Sequence, residues 1–184
     1  FHVRIVIANI RIMASVSVSV CIAVHNASRY LHECIDSILQ QTFEDFELLI
    51  VDESSTDDSC DIIRSFNDSR IRLIENKLNH TDSLNLLFDL AKGKYIACIT
   101  AEDVMLPYRL KRQFKYMEQN PSVDVLGGSV EQKSNLMNEN VLSLKEEKDV
   151  TLQDLLKANC LIYSTAFVRI ESLRRKRIKY EGTY

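Results

Sequence analysis

The sequence predicts an α/β domain with a mostly parallel central sheet flanked by helices and linked by right-handed crossovers. Three observations predict it. Short runs rich in β-branched and aromatic residues alternate with longer segments whose apolar residues recur every three or four positions. Those runs turn apolar on both faces, as strands covered by helices on either side do. Two acid pairs, Asp52-Glu53 and Glu102-Asp103, each follow directly on such a run. Both then fall on the carboxyl edge of one sheet, where open α/β sheets keep their ligands.

The elements follow in order. Val16 to Val24 alternates and then becomes wholly apolar, predicting a central strand. His25 to Ser28 turns the chain, with Asn26 or Ser28 available as helix cap. Leu31, Cys34, Ile35, Ile38 and Leu39 form one apolar stripe on a helix ending near Gln41. Phe46 to Val51 is a second strand, delivering Asp52 to Asp57 into a loop before a helix that carries Cys60, Ile62, Ile63 and Phe66. Ile71 to Ile74 is a third strand. A helix with Leu84, Leu87, Phe88 and Ala91 runs to Gly93, a helix stop. The strand from Lys94 stops at Glu102 and Asp103, and Pro107 opens a helix with the stripe Leu110, Phe114 and Met117. Val123 to Leu126 is a short strand. Glu131 to Lys148 reads as loop or irregular strands, Leu152 to Ala158 as a short helix, and Ser164 to Ile170 as a strand.

The chain has 184 residues, enough for one substantial domain. A formal net charge of −3 argues against nucleic-acid binding through bulk charge. The five cysteines, at 21, 34, 60, 98 and 160, form no Cys-x-x-Cys pair and read as reduced core residues of a cytoplasmic protein. Arg4, Asn9 and Arg11 break the apolar amino-terminal stretch, which is too short to span a membrane. Residues 1–13 are read as an expression remnant or an extra edge strand, and residues 14–184 as one domain. Taken alone, Glu102 and Asp103 suit the start of a helix better than a ligand site, and Asp52 suits a turn cap. His25, His32 and His80 have neither catalytic nor metal-ligand spacing.

The ordered motifs resemble a known family. Val18 to Ala27, with Tyr30-Leu31 and Cys34 to Thr42, is similar to the amino-terminal signature of family 2 glycosyltransferases of the Rossmann-like GT-A fold. Val51-Asp52-Glu53-Ser54-Ser55-Thr56-Asp57 resembles that family's Val-Asp-Asp-Gly-Ser-Thr-Asp, and Thr100-Ala101-Glu102-Asp103 its Asp-Ala-Asp-Asp metal motif. Leu106 to Leu110 with Gln113, Asn120 to Gly127 and, more weakly, Ser164 to Arg169 continue the match.

The resemblance implies an inverting, metal-assisted transfer of a sugar from a nucleoside diphosphate donor, UDP-linked, to a glycan or lipid-linked acceptor, as in bacterial polysaccharide biosynthesis. It implies that Asp52 and Glu53 contact the base, that Ala23, His25 and Asn26 wall its pocket, and that Ser83, Thr100 and Ala101 lie along the nucleotide. Glu102, with Asp103 in support, would hold Mn²⁺ or Mg²⁺ on the diphosphate.

The departures are Ala23 for the usual Pro, Glu53 for Asp, Ser54 for Gly, Thr100 for the first Asp of the metal motif and Glu102 for the second. The family's general base is expected beyond Tyr184, so the chain reads as a fragment holding the donor half; Glu181 is read as a solvated acid. The run Arg174 to Arg177 with Lys179 is read as a solvated patch, with peripheral contact to the inner face of a membrane as the alternative. A catalytically impaired nucleotide-sugar-binding or interaction module of the same fold is the alternative to the enzyme. A nucleotidyltransferase ranks third, because its glycine-rich phosphate loop is missing.

Overall fold

The computed structural model describes residues 16–132, 141–142 and 162–181. The expected extra edge strand, the Leu152 to Ala158 helix and most of the Glu131 to Lys148 segment lie outside those residues. The elements are β1 (Val18–Val24), α1 (Ser28–Leu39), β2 (Phe46–Asp52), α2 (Ser59–Ser65), β3 (Ile71–Glu75), α3 (His80–Leu90), β4 (Tyr95–Cys98), α4 (Arg109–Gln119), β5 (Val125–Leu126), β6 (Glu131–Gln132), β7 (Val141–Leu142), β8 (Phe167–Arg169) and α5 (Ile170–Lys176).

Six strands form one sheet in the order β3-β2-β1-β4-β8-β5, and β6 pairs separately with β7. β1 to β4 are parallel, and β8 runs antiparallel between β4 and β5. The chain winds outward from β1 to β3 and then crosses to the other side of β1. The strand order therefore reverses between β1 and β4, which opens a crevice at their carboxyl ends.

The period-two alternation along each strand sends side chains to two cores. On one face Val18, Val20, Ile22, Leu48, Ile50 and Ala97 pack with the α1 stripe (Leu31, Cys34, Ile35, Ile38), Ile63 of α2, and Leu110 and Met117 of α4. On the other, Cys21, Leu49, Val51, Ile96 and Cys98 meet Leu84 and Leu87 of α3 and Ile170 of α5. Each fully buried aliphatic side chain removed from water contributes about 1.5–3 kcal/mol before chain entropy is set against it. That is why β1, β2 and β4, buried at every position but Ala23, form the rigid centre.

Strand β4 ends at Cys98 rather than running up to Glu102, and β5 begins at Val125 rather than Val123. Three further departures from the sequence expectation each have a long-range reason. The α1 amino terminus has no cap from its own side chains. Instead the β2–α2 loop supplies it: the N–H groups of Asn26, Ala27 and Ser28 donate to Ser55 Oγ (2.9 Å), Ser59 Oγ (3.0 Å) and Asp57 Oδ2 (3.0 Å). Helix α4 begins at Arg109, not Pro107, because the Pro107 carbonyl is held by the Thr42 N–H (3.0 Å) and hydroxyl (3.1 Å). Strand β8 begins at Phe167, because Tyr163–Thr165 closes a 3-10 turn whose Thr165 carbonyl is held by Gln113 Nε2 at 2.8 Å.

Gly93 does more than stop a helix. A side-chain carbon there would sit 2.6 Å from the Ser19 nitrogen, 2.8 Å from the Val18 carbonyl carbon and 2.9 Å from the Tyr95 oxygen, all backbone atoms. The close approach lets the Gly93 N–H donate to Ser19 Oγ (2.9 Å), which itself donates to buried Glu47 (2.7 Å). The Lys92 N–H donates to the same Glu47 oxygen at 2.8 Å, so this carboxylate is satisfied inside the sheet.

Candidate functional site

At the switch point lies a cavity of about 370 Å³. It is walled by Ala23 of β1, Ile99 and Thr100 past β4, His80, Thr81 and Leu84 of α3, Tyr163, and the segment Tyr180-Glu181. The register places the β1 and β2 ends side by side, Ala23 opposite Val51 and Val24 opposite Asp52.

Asp52 ends β2 and is 2% exposed. Its Oδ2 accepts from the Ser55 N–H at 3.0 Å, while its Oδ1 has no hydrogen-bond partner among the described residues. A buried carboxylate oxygen without a partner is costly, so such atoms generally meet a ligand or water. The neighbouring Cys60 thiol is pushed up to about 11, by burial and then by the Asp52 carboxylate.

The predicted pocket-wall residues cluster beside it. His25 is exposed, and its Nδ1 lies 3.0 Å from the Glu53 carbonyl oxygen. That contact makes Nδ1 the protonated nitrogen and leaves Nε2 to accept from Asn26 Nδ2 at 3.2 Å. Asn26 takes a left-handed backbone (φ 50°), and its Oδ1 accepts from the Thr56 N–H at 2.8 Å. Asn26 thus ties the two carboxyl-edge loops together. Ser54, standing where the family pattern has Gly, adopts φ 60° and is held there by a 2.9 Å bond from its hydroxyl to the Asn76 carbonyl. Glu53 faces His80, whose Nδ1 is 3.1 Å from Oε1, so an α3 residue from the cavity wall holds a predicted base-contact residue. Ser83 is fully buried on α3, its hydroxyl without a hydrogen-bond partner among the described residues, and lies outside the cavity wall.

The second acid pair sits on the other lip. Thr100 lines the cavity, and its hydroxyl donates to Asp103 Oδ2 at 2.6 Å, while the Asp103 N–H returns to the Thr100 carbonyl at 3.2 Å. The threonine thus aims Asp103 where the family pattern has a third carboxylate. Ala101 is buried. Glu102 is exposed and makes no hydrogen bond or ion pair with a described residue. Burial, then the Asp103 and Glu102 charges, push the Cys34 thiol beneath this turn up to about 12. Among the described residues no three His, Cys, Asp or Glu side chains converge as a metal-ligand set.

Sequence reasoning missed several residues that build this edge. Arg109 is half-buried beneath it, donating to the Cys98 carbonyl (2.9 Å) and to Gln113 Oε1 (3.0 Å), and the loss of water around it lowers its guanidinium to about 10. Tyr163 and Tyr180 form the apolar wall, and burial raises both phenols, Tyr163 the more strongly. Tyr180 is anchored by reciprocal backbone bonds with the Asn85 amide (2.9 and 3.1 Å) and by its ring against Phe88. Glu181, read as merely solvated, is exposed and also borders the cavity. The Leu106 to Gln113 stretch carried a sequence signal for Arg109, and Tyr180 to Tyr184, which resembles the approach to the family's general-base motif, carried one for Tyr180 and Glu181; Tyr163 carried none.

A model described as glycosyl transferase family 2 matches residues 19–175. An uncharacterized glycosyltransferase of Methanocaldococcus jannaschii is 34% identical over 173 residues, spanning 89% of this chain and 59% of that protein. The Escherichia coli UDP-Glc:alpha-D-GlcNAc-diphosphoundecaprenol beta-1,3-glucosyltransferase WfaP is 36% identical over 103 residues, 55% of this chain and 41% of that protein. S. aureus TarS 1-349 in complex with UDP-GlcNAc has the same fold, with a TM-score of 0.73 at 22% identity, over 90% of this chain and 48% of that chain. The chain therefore spans about half the length of the proteins it matches.

Proposed function

The chain belongs to glycosyl transferase family 2, and on that premise we propose that it is the donor-binding part of an enzyme moving a sugar from a UDP-linked donor to a glycan or lipid-linked acceptor with inversion. The observation that carries this reading is the buried Asp52 oxygen without a hydrogen-bond partner among the described residues, at the carboxyl end of β2 opposite Val24 of β1; Asp52 itself is not among the residues that line the cavity. A base N–H matches it, since a charge-assisted bond there offsets the cost of burial. Ala23, His25 and Asn26 then wall the base, Glu53 reaches it through its His80-held position, and Thr100 and Ala101 follow the ribose. Ser83 would act from beneath, through the α3 end that borders the cavity. The donor named for WfaP and the ligand named for TarS, both UDP-sugars, support the choice of nucleotide. The acceptor named for WfaP supports a lipid-linked diphosphate.

The donor set fits Mn²⁺ or Mg²⁺. Such ions are held through one or two carboxylates plus substrate phosphate oxygens. Glu102 offers a carboxylate without a partner among the described residues, and Asp103 one aligned by Thr100. Bound there, the ion would neutralise charge on the departing diphosphate. The acceptor hydroxyl attacks the anomeric carbon from the face opposite the phosphate, and its bond to the sugar replaces the phosphate bond. The base that takes the acceptor proton is proposed to lie in the length of the relatives that this chain does not cover.

A second reading, a nucleotide-sugar-binding module without transfer, is favoured by Thr100, whose neutral hydroxyl is committed to Asp103. Calorimetry with UDP, with and without Mn²⁺, tests the shared donor site: metal-dependent binding is expected, and Glu102→Gln is expected to weaken its metal-dependent part. No metal-dependent binding at millimolar UDP refutes the site. Release of UDP from a UDP-sugar separates enzyme from module.

A further inference from the structure

We propose that the outer face of α4, with the 104–108 loop leading into it, docks on the surface of an anionic phospholipid bilayer. Tyr108, Lys111, Arg112, Lys115 and Tyr116 recur at spacings that put them on one side of the helix, and all are exposed. The first four line a shallow groove of about 290 Å³, of a size for a lipid phosphate headgroup. None of the three cations has an ion pair among the described residues. The nearby acid Glu118 is committed to Lys94 Nζ (2.6 Å) and the Tyr95 hydroxyl (2.7 Å). On a chain of net charge −3 this is a local, unneutralised positive face.

The basic run Arg174 to Lys179, the sequence-level alternative for membrane contact, is largely self-satisfied. Arg174 donates to the Ala91 carbonyl (3.0 Å), Lys176 pairs with Asp124 (2.8 Å) and Lys179 with Asp89 (3.4 Å).

The apolar side of the surface selects a bilayer over a nucleic acid. Leu106 is 72% exposed, Val104 48% and Tyr108 56%. These side chains are presented rather than loose, because the loop backbone is pinned. The Met105 N–H donates to Ser37 Oγ (2.9 Å), and Gln41 Nε2 donates to the Met105 (3.3 Å) and Leu106 (2.8 Å) carbonyls. Aliphatic, tyrosine and Lys/Arg side chains together suit the headgroup boundary of an anionic membrane. A phosphodiester backbone has nothing for Leu106 to bury. Glu102 and Asp103 immediately precede the loop, so docking sets the carboxyl edge of the sheet at the membrane surface. The proposal rests on this surface and not on the donor site.

Co-sedimentation with vesicles free of any lipid-linked sugar tests it, comparing phosphatidylcholine alone with phosphatidylcholine containing about one third phosphatidylglycerol. The chain is expected to bind the anionic vesicles and not the neutral ones. Each cation near such a surface contributes roughly fivefold, so K111Q/R112Q/K115Q should lower partitioning roughly a hundredfold. Leu106→Ser should lower it about tenfold with the charges intact. R175Q/R177Q should leave it unchanged. Far-UV circular dichroism and UDP binding, both expected to match wild type, show that the variants are folded. The proposal is overturned by equal binding to both vesicles, by no binding, by a triple variant within about threefold of wild type, or by tighter binding to an oligonucleotide than to anionic vesicles.

Discussion

Replacing Asp52 with Asn separates a ligand site from a structural one, because the two roles predict opposite signs. The side chain is 2% exposed, with one oxygen bound to the Ser55 N–H and the other without a hydrogen-bond partner among the described residues. Asn keeps the shape and, through its own oxygen, the bond to Ser55. It removes a buried negative charge that, among the described residues, the Ser55 N–H and the neighbouring Cys60 thiol compensate, so folding stability should hold or rise by about 0–1 kcal/mol. If the free oxygen exists to accept a base N–H, the amide presents a donor to a donor there. The charge-assisted bond lost is worth about 1.5–3 kcal/mol, a weakening of UDP binding of roughly 10- to 150-fold. Calorimetric titration gives the affinity and urea unfolding followed by circular dichroism gives the stability. A UDP affinity within about twofold of wild type, or a stability loss above about 1 kcal/mol, refutes the reasoning, since the carboxylate would then be serving the fold.

Two further outcomes follow from the scaffold. Gly93→Ala drives a carbon against three backbone atoms inside 3.0 Å between β1 and β4, so it should cost about 3 kcal/mol and lower Tm by about 6–12 °C, whereas Gly128→Ala, with its nearest contact 3.5 Å away, should be nearly silent in the same thermal scan. The Ser59 hydroxyl, with the Ser28 and Ser59 N–H groups, holds the Asp57 carboxyl well below the usual carboxylate range. A depressed folded-state pKa means its contribution is complete above the unfolded value of about 3.9 and is lost as pH falls through the lower folded value. Asp57→Asn should therefore flatten the acid limb of a stability profile below about pH 4 while lowering the plateau above it; an unchanged acid limb in urea titrations at stepped pH contradicts this.

The alternation of strands and helices was legible in the chain itself. Val18 to Val24, Phe46 to Asp52 and the α1 stripe are buried by regular local geometry, and a period of two or of three to four residues is the direct imprint of that burial. Glu102 was visible for the same reason, as the point where an apolar run leaves the core, whereas Asp52 was visible as the acid that ends such a run and proves to be buried with it. Tertiary structure alone decided what those acids meet. Asp57 and Ser59 cap a helix about 30 residues earlier, His80 holds Glu53 from 27 residues away, and Tyr180 closes the cavity 95 residues after Asn85. The positive stripe on α4 is equally invisible as a surface until Glu118 is seen bonded to Lys94 and Tyr95, and the Arg174 to Lys179 run to its own partners. Local periodicity is set by which face of one element is buried. The pairing of polar groups across the sheet edge is set by where distant elements land, and no spacing within a single segment encodes that.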